Sequence, residues 1–180
     1  MKPSIVTLSK SESHSMQKYS QSALKLISGY GIEGDVHAGG TVKHRSRRKK
    51  NSELPNLRQV HLIHSELYEE LRLDGFVLNH GELGENITTK DLNLLNLPEG
   101  TILNIGPDVK IEITGLRNPC SQLDDLRKGL MKAVLERSET GELIRKTGVM
   151  AIVISGGEIL LSNTIDIEYP SKPHRKLVCV

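Results

Sequence analysis

Residues 101–114, TILNIGPDVKIEIT, place two alternating apolar runs around a Gly106-Pro107-Asp108 turn. Leu103 and Ile105 on one side, and Val109, Ile111 and Ile113 on the other, have the two-residue period of half-buried strands. The turn supplies the residues a tight reversal needs, so the segment reads as a hairpin. Working outward, Val149–Ile154 and Glu158–Leu161 flank Ser155-Gly156-Gly157 and read as a second hairpin. Ile5–Leu8, Ala23–Ile27 and Gln59–Ile63 read as further strands, and Thr164–Glu168 is placed to close the sheet. Helical spacing is limited to Leu62–Leu73, with Ser65 as N-cap and a stop at Asp74-Gly75, and to Gly129–Arg137. Many short strands with few helices predict a mainly β fold. The expectation is a small closed or partly closed β-barrel, mostly antiparallel, with peripheral helices.

One domain over 1–180 suits a chain of 180 residues, with an irregular tail at 171–180. One Phe, four Tyr and no Trp leave an aliphatic core and remove the stacking platforms of single-strand nucleic-acid binders. The longest apolar run, Val149 to Ile154, is far short of the ~20 residues that span a bilayer. No export signal is legible, and two cysteines make no disulfide framework, so a cytoplasmic setting is expected. Dinucleotide and phosphate-loop glycine patterns, paired-cysteine zinc motifs and the nucleophile elbow do not occur.

Four segments carry chemistry. GIEGDVHAGG, Gly31 to Gly40, has four glycines, with Gly34 beside Asp35; Asp35 and His37 are two apart and share one side of an extended chain. KHRSRRKK, Lys43 to Lys50, holds Lys43, His44, Arg45 and Arg47: a solvated loop, a nucleic-acid patch or a clamp for a small phosphorylated ligand. The shortage of aromatics and a net charge of only +2 argue against nucleic acid. Arg58, at the entry to an apolar strand, is suited to a bidentate phosphate contact. GELGENITT, Gly81 to Thr89, reads as a polar loop in which Asn86 offers an amide edge and Thr88 a hydroxyl. GLRNPCSQLDD, Gly115 to Asp125, sets Cys120 in a loop at a strand end, three residues after Arg117, whose charge favours thiolate. A thiolate is a nucleophile or a soft metal ligand; the alternative is a cysteine packed inertly. His61, in an apolar run, reads as a core histidine, and Cys179 as incidental.

These segments, in this order, resemble the MOSC family, the molybdenum-cofactor sulfurase C-terminal domain. The matching text is GYGIEGDVHAGG, VKHRSR, NLRQVHLI, GELGENITT followed by DLNLLNLPEGTILNIG, ITGLRNPCSQLDD, GLM and GVMAIVISGGEI, roughly Gly29 to Ile165. The resemblance implies a β-barrel and a molybdenum cofactor of the molybdopterin type, with Cys120 as the molybdenum ligand. It places Asn86, Gly34, Asp35, His37 and Arg58 in shared motifs. It also implies a small-molecule substrate, reduction of N-hydroxylated compounds, and electrons from separate redox partner proteins. The alternative is a carrier of cofactor or sulfur without turnover.

Overall fold

The computed structural model describes residues 2–41 and 54–180. In chain order the strands are β1 (Ser4–Lys10), β2 (Tyr19–Gln21), β3 (Ala23–Ile27), β4 (Gly31–Ile32), β5 (Val60–His64), β6 (Ile87–Lys90), β7 (Ile102–Ile105), β8 (Val109–Leu116), β9 (Leu135–Arg137), β10 (Leu143–Arg145), β11 (Val149–Ser155), β12 (Gly157–Leu160) and β13 (Ile165–Glu168). Helix α1 (Glu66–Leu73) follows β5; two short helices, α2 (Gln122–Leu126) and α3 (Leu130–Ala133), follow β8.

The main sheet runs β13-β7-β8-β11-β5-β6-β1-β2. It curls until Thr164, just before β13, bridges Ser4 at the start of β1. The expected barrel is present, closed through that bridge, with β2 outside the ring. Only β5 and β6 pair parallel in this sheet, and α1 lies in the crossover between them.

The 101–114 hairpin forms as read, with Ile105 opposite Val109. The second hairpin does not. β11 is paired along one edge by β8; on the other, β5 takes Val149–Ala151, and Gln59 Oε1 and the Gly29 N–H bond Val153, so β12 finds no open edge. The chain leaves the barrel at Gly156, where a Cβ would stand 2.6 Å from the Leu26 carbonyl oxygen. β12 then pairs with β3 in a second sheet, β12-β3-β4. Gly81–Thr89 also departs from its reading: its last three residues, Ile87 onward, belong to the buried strand β6. The β-branched Ile87, Thr88 and Thr89 favour that state once both neighbours supply ladder bonds. Gly129–Arg137 is helical only over Leu130–Ala133; Leu135–Arg137 pairs with Leu143–Arg145, and that ribbon overrides helix propensity. The tail is irregular but docked. Leu177 is buried in the core, and Leu116 N–H donates to the Val178 carbonyl at 2.8 Å.

Two aliphatic cores result. One fills the barrel with residues such as Leu8, Leu62, Ile87, Ile111 and Val153. The other packs Leu67, Tyr68 and Leu71 of α1 against Ile63, Leu83, Leu123 and Leu130. Each such side chain contributes roughly 1.5–3 kcal/mol on burial. The loops after β4 and β8 and before β6 meet at the seam between the cores. Among the described residues no helix is long and apolar enough to cross a membrane.

Candidate functional site

Asp35 is the hub. Its carboxylate is fully shielded; Oδ2 accepts from Lys18 Nζ at 2.8 Å and from Asn86 Nδ2 at 3.0 Å. Oδ1 accepts from the His37 backbone N–H at 2.9 Å, with the ring nitrogen Nδ1 at 3.4 Å. Burial raises the Asp35 pKa, but the hydrogen bonds from His37 and the Lys18 ammonium outweigh it and hold the carboxyl well below the ordinary range. Lys18 is itself buried, and that burial draws its pKa down despite Asp35.

Asn86 spends its amide inside the protein. Nδ2 also donates to the Ser9 carbonyl at 3.1 Å, and Oδ1 accepts from the His61 backbone N–H at 3.1 Å. It therefore ties β1, β5 and the glycine loop together and presents no amide edge to solvent. His61 is the core histidine the sequence indicated. Its Nε2 lies 2.7 Å from the Thr147 carbonyl oxygen. Burial, aided by the Arg117 charge, lowers its pKa to about 3, so the ring is neutral.

One step deeper, Glu85 is fully buried. Its Oε1 accepts from the Tyr68 hydroxyl, from the Gly81 N–H at 2.5 Å and from Thr88 Oγ1 at 3.1 Å. Its Oε2 has no partner among the described residues. Gly81 takes φ +91°, and a Cβ there would stand 2.4 Å from the Lys18 carbonyl oxygen, so only glycine lets the Lys18 segment approach. Thr88 serves Glu85 and is buried with it.

Beyond β8, Arg117 donates its N–H to the Gly148 carbonyl and accepts from Thr147 Oγ1 through its own carbonyl. Its guanidinium points inward. Nη2 lies 3.8 Å from the Met16 sulfur, while Nη1 is shielded with no acceptor among the described residues. Burial lowers the guanidinium pKa; the Cys120 thiol and the Glu85 carboxylate oppose that shift. Cys120 is half-buried, with Sγ 3.5 Å from Gln122 Oε1. It is not sealed among aliphatic side chains.

The residues singled out in the sequence are thus partly assembled. Asp35, His37 and Asn86 form one bonded group that also holds Lys18, whereas Arg117 meets Met16 and Cys120 meets Gln122. Arg58 is half-buried, its N–H held by Asn56 Oδ1, and Asn56 Nδ2 donates to the His37 and Gly39 carbonyls. Gly34, at φ +76°, faces Lys10 Nζ rather than the thiol. Lys43, His44, Arg45 and Arg47 lie outside the described residues. Sequence reasoning missed Lys18, Glu85 and Tyr68. Lys18 sits in a mostly polar stretch that reads as surface, and Glu85 was visible only as one more charge in GELGEN.

The donor set suits an anionic group bound through sulfur. Among the described residues a shielded guanidinium nitrogen, Nη1 of Arg117, lacks an acceptor, a state that buried donors avoid unless water or a ligand fills it. A half-buried soft thiol, Cys120, follows three residues later. Among the described residues no three His, Cys, Asp or Glu side chains converge to cage a metal.

Comparisons agree with this architecture. A family model described as MOSC domain matches residues 33–165. The solved YUAD protein from Bacillus subtilis is 23% identical, with a TM-score of 0.75, covering 95% of this chain and 98% of that one. YiiM from Escherichia coli is 18% identical at TM-score 0.64, covering 97% and 73%. YiiM from Geobacillus stearothermophilus is 17% identical at TM-score 0.69, covering 97% and 79%. At these identities the likeness establishes the fold. No curated protein matches the chain.

Proposed function

The chain belongs to the MOSC domain family, and from that premise we propose that it binds a molybdenum cofactor of the molybdopterin type beside Cys120 and reduces small N-hydroxylated compounds there. The observation that carries the reading is Arg117, whose shielded Nη1 has no acceptor among the described residues and which stands three residues before the half-buried Cys120. When bound, the cofactor supplies the two-electron chemistry that cleaves an N–O bond.

The chain's own residues divide the remaining work. Cys120 Sγ is the soft ligand that holds the metal. Arg117 Nη1 donates to an anionic edge of the cofactor. Arg58, with Lys43, His44, Arg45 and Arg47, neutralises the pterin phosphate. Gly34 belongs to the loop whose open backbone lets a ligand approach. Asp35 stays ionised and does not donate. It orients His37, so the proton that a leaving hydroxyl needs comes from the imidazole. Asn86 and Thr88 act from behind, holding Asp35 and Glu85 in place. Electrons come from a separate redox protein.

Metal and pterin analysis of full-length protein from a cofactor-making host tests the reading. Wild type carries molybdenum and pterin, and Cys120→Ser loses most of the metal, by about tenfold or more. Molybdenum absent from wild type, or undiminished in Cys120→Ser, overturns the ligand role. A loaded protein that fails to turn over N-hydroxylated substrates with a generic electron donor is a carrier instead.

A further inference from the structure

One member of the buried ion pair at the hub has no task in the chemistry above. Lys18 and Asp35 are both shielded from solvent, and Lys18 Nζ stands 2.8 Å from Asp35 Oδ2. The lysine is held in place from its own backbone. Its N–H donates to the Gly81 carbonyl at 2.9 Å, and the Gly81 N–H donates in turn to Glu85 Oε1 at 2.5 Å. Burying an ammonium is costly unless an anion pairs with it and hydrogen-bonds to it. A side chain kept here only to fill space would do better as an apolar residue of similar volume.

We propose that Lys18 is a positioning residue for His37: its ammonium is the counter-ion that keeps the Asp35 carboxylate charged, and that carboxylate orients His37. The other groups around Asp35 do not replace it. Asn86 Nδ2 at 3.0 Å, the His37 N–H at 2.9 Å and the Ser11 N–H at 3.4 Å are neutral donors. Lys10, at the end of β1, gives its ammonium to the Glu33 carbonyl at 3.1 Å and, with Glu12, faces Gly34. His14 lies edge-on to the His37 ring, with centroids 6.1 Å apart. Among the described residues Lys18 is therefore the one lysine or arginine within ion-pair distance of Asp35. Its own charge is favoured by Asp35 and Glu85 and opposed by burial and Arg117. With Lys18 in place, Oδ2 serves Lys18 and Asn86 while Oδ1 serves His37, both its backbone N–H and its ring Nδ1. Without it, burial is the largest influence left on Asp35. The carboxyl then takes up a proton more readily and becomes a poorer acceptor for His37.

The inference rests on the reading above only in giving His37 a proton to deliver, and its test uses full-length protein from a host that makes no cofactor. The Asp35 carboxyl carbon and the His37 amide proton are followed by NMR against pH. In wild type the Asp35 signal keeps its ionised position through the ordinary carboxylate range at about pH 4. Lys18→Met raises the Asp35 midpoint by about 2 pH units or more, a roughly hundredfold or greater gain in proton affinity. The His37 amide, which donates to Asp35 Oδ1, moves with the same step. Lys18→Arg, which keeps a cation, holds the midpoint low. An Asp35 midpoint that Lys18→Met leaves in place, or a His37 amide blind to the Asp35 step, overturns the proposal. Should Lys18→Met fail to fold, adding Asp35→Asn to the same chain decides. With both charges gone the double variant folds; one no more stable than Lys18→Met shows that the lysine serves packing alone, which is equally fatal. Protein that shows these shifts but binds no molybdenum keeps this inference and loses the cofactor reading; protein that loads with molybdenum but whose Asp35 midpoint stays put in Lys18→Met does the opposite.

Discussion

His61 shows how one buried side chain ties the site to stability. In the unfolded chain it binds a proton below about pH 6.5, whereas in the folded protein burial delays protonation to about pH 3. Between those values the unfolded chain holds more protons, so stability falls as the solution is acidified. The half-buried His64, shifted the same way by burial, adds to that slope. Asp35 acts in a lower window, because a carboxyl held ionised stabilises down through its ordinary pKa near 4 and loses that only below it. Urea unfolding is expected to lose about 3 kcal/mol between pH 7 and pH 4 from His61, and His61→Gln is expected to flatten most of that slope. A wild-type stability level across this range would show that the ring is not buried neutral. At this scale Asp35, His37 and Cys120 were legible from the sequence because chemically unusual residues stood in glycine- or proline-marked loops. Lys18 and Glu85 were not, because nothing local distinguishes a buried charge from a solvated one.

At the scale of elements, the strands were legible wherever apolar residues alternated or ran together. Ala23–Ile27 and the pair β7–β8 form where the pattern placed them. Partners were a different matter. The Ser155-Gly156-Gly157 turn signal is real, yet the edges of β11 are taken by β8, by β5 and by Gln59 and Gly29 at Val153, and β12 goes to β3. The glycine that enables β11 to enter the barrel is Gly148, at φ +81°, where a Cβ would stand 2.0 Å from the Leu62 carbonyl oxygen and 2.9 Å from Ile63 Cγ1. Gly148→Ala is therefore expected to cost about 3 kcal/mol or more, from backbone strain plus a forced shift of β5. Chemical denaturation measures it, and a loss within 0.5 kcal/mol, the ordinary surface range, would contradict the packing. Gly75, also at positive φ but with open space around it, is the matched comparison and should lose less.

Across the whole molecule, closure is the organising event. β5, β8 and β11 are paired on both sides in the interior of the sheet, whereas β2 is an edge and β9–β10 an isolated ribbon. Native-state amide exchange is expected to be slowest in β5, β8 and β11, with β2 and β9–β10 about a hundredfold faster or more. Uniform protection would mean that the ribbon and the barrel open as one unit. The same closure brings loops from residues 31–40, 81–86 and 115–121 to one seam between the two cores.

The sequence by itself determined a β-rich aliphatic chain, its turn-marked strands and the loops in which reactive residues stand, because period and turn chemistry are local properties. Only the tertiary structure decided which strand pairs with which, that Asn86 and Thr88 face inward, that Lys18 and Glu85 are buried, and that one Arg117 nitrogen is shielded. Burial of a charge depends on what the rest of the chain packs over it, and no window of neighbouring residues contains that information.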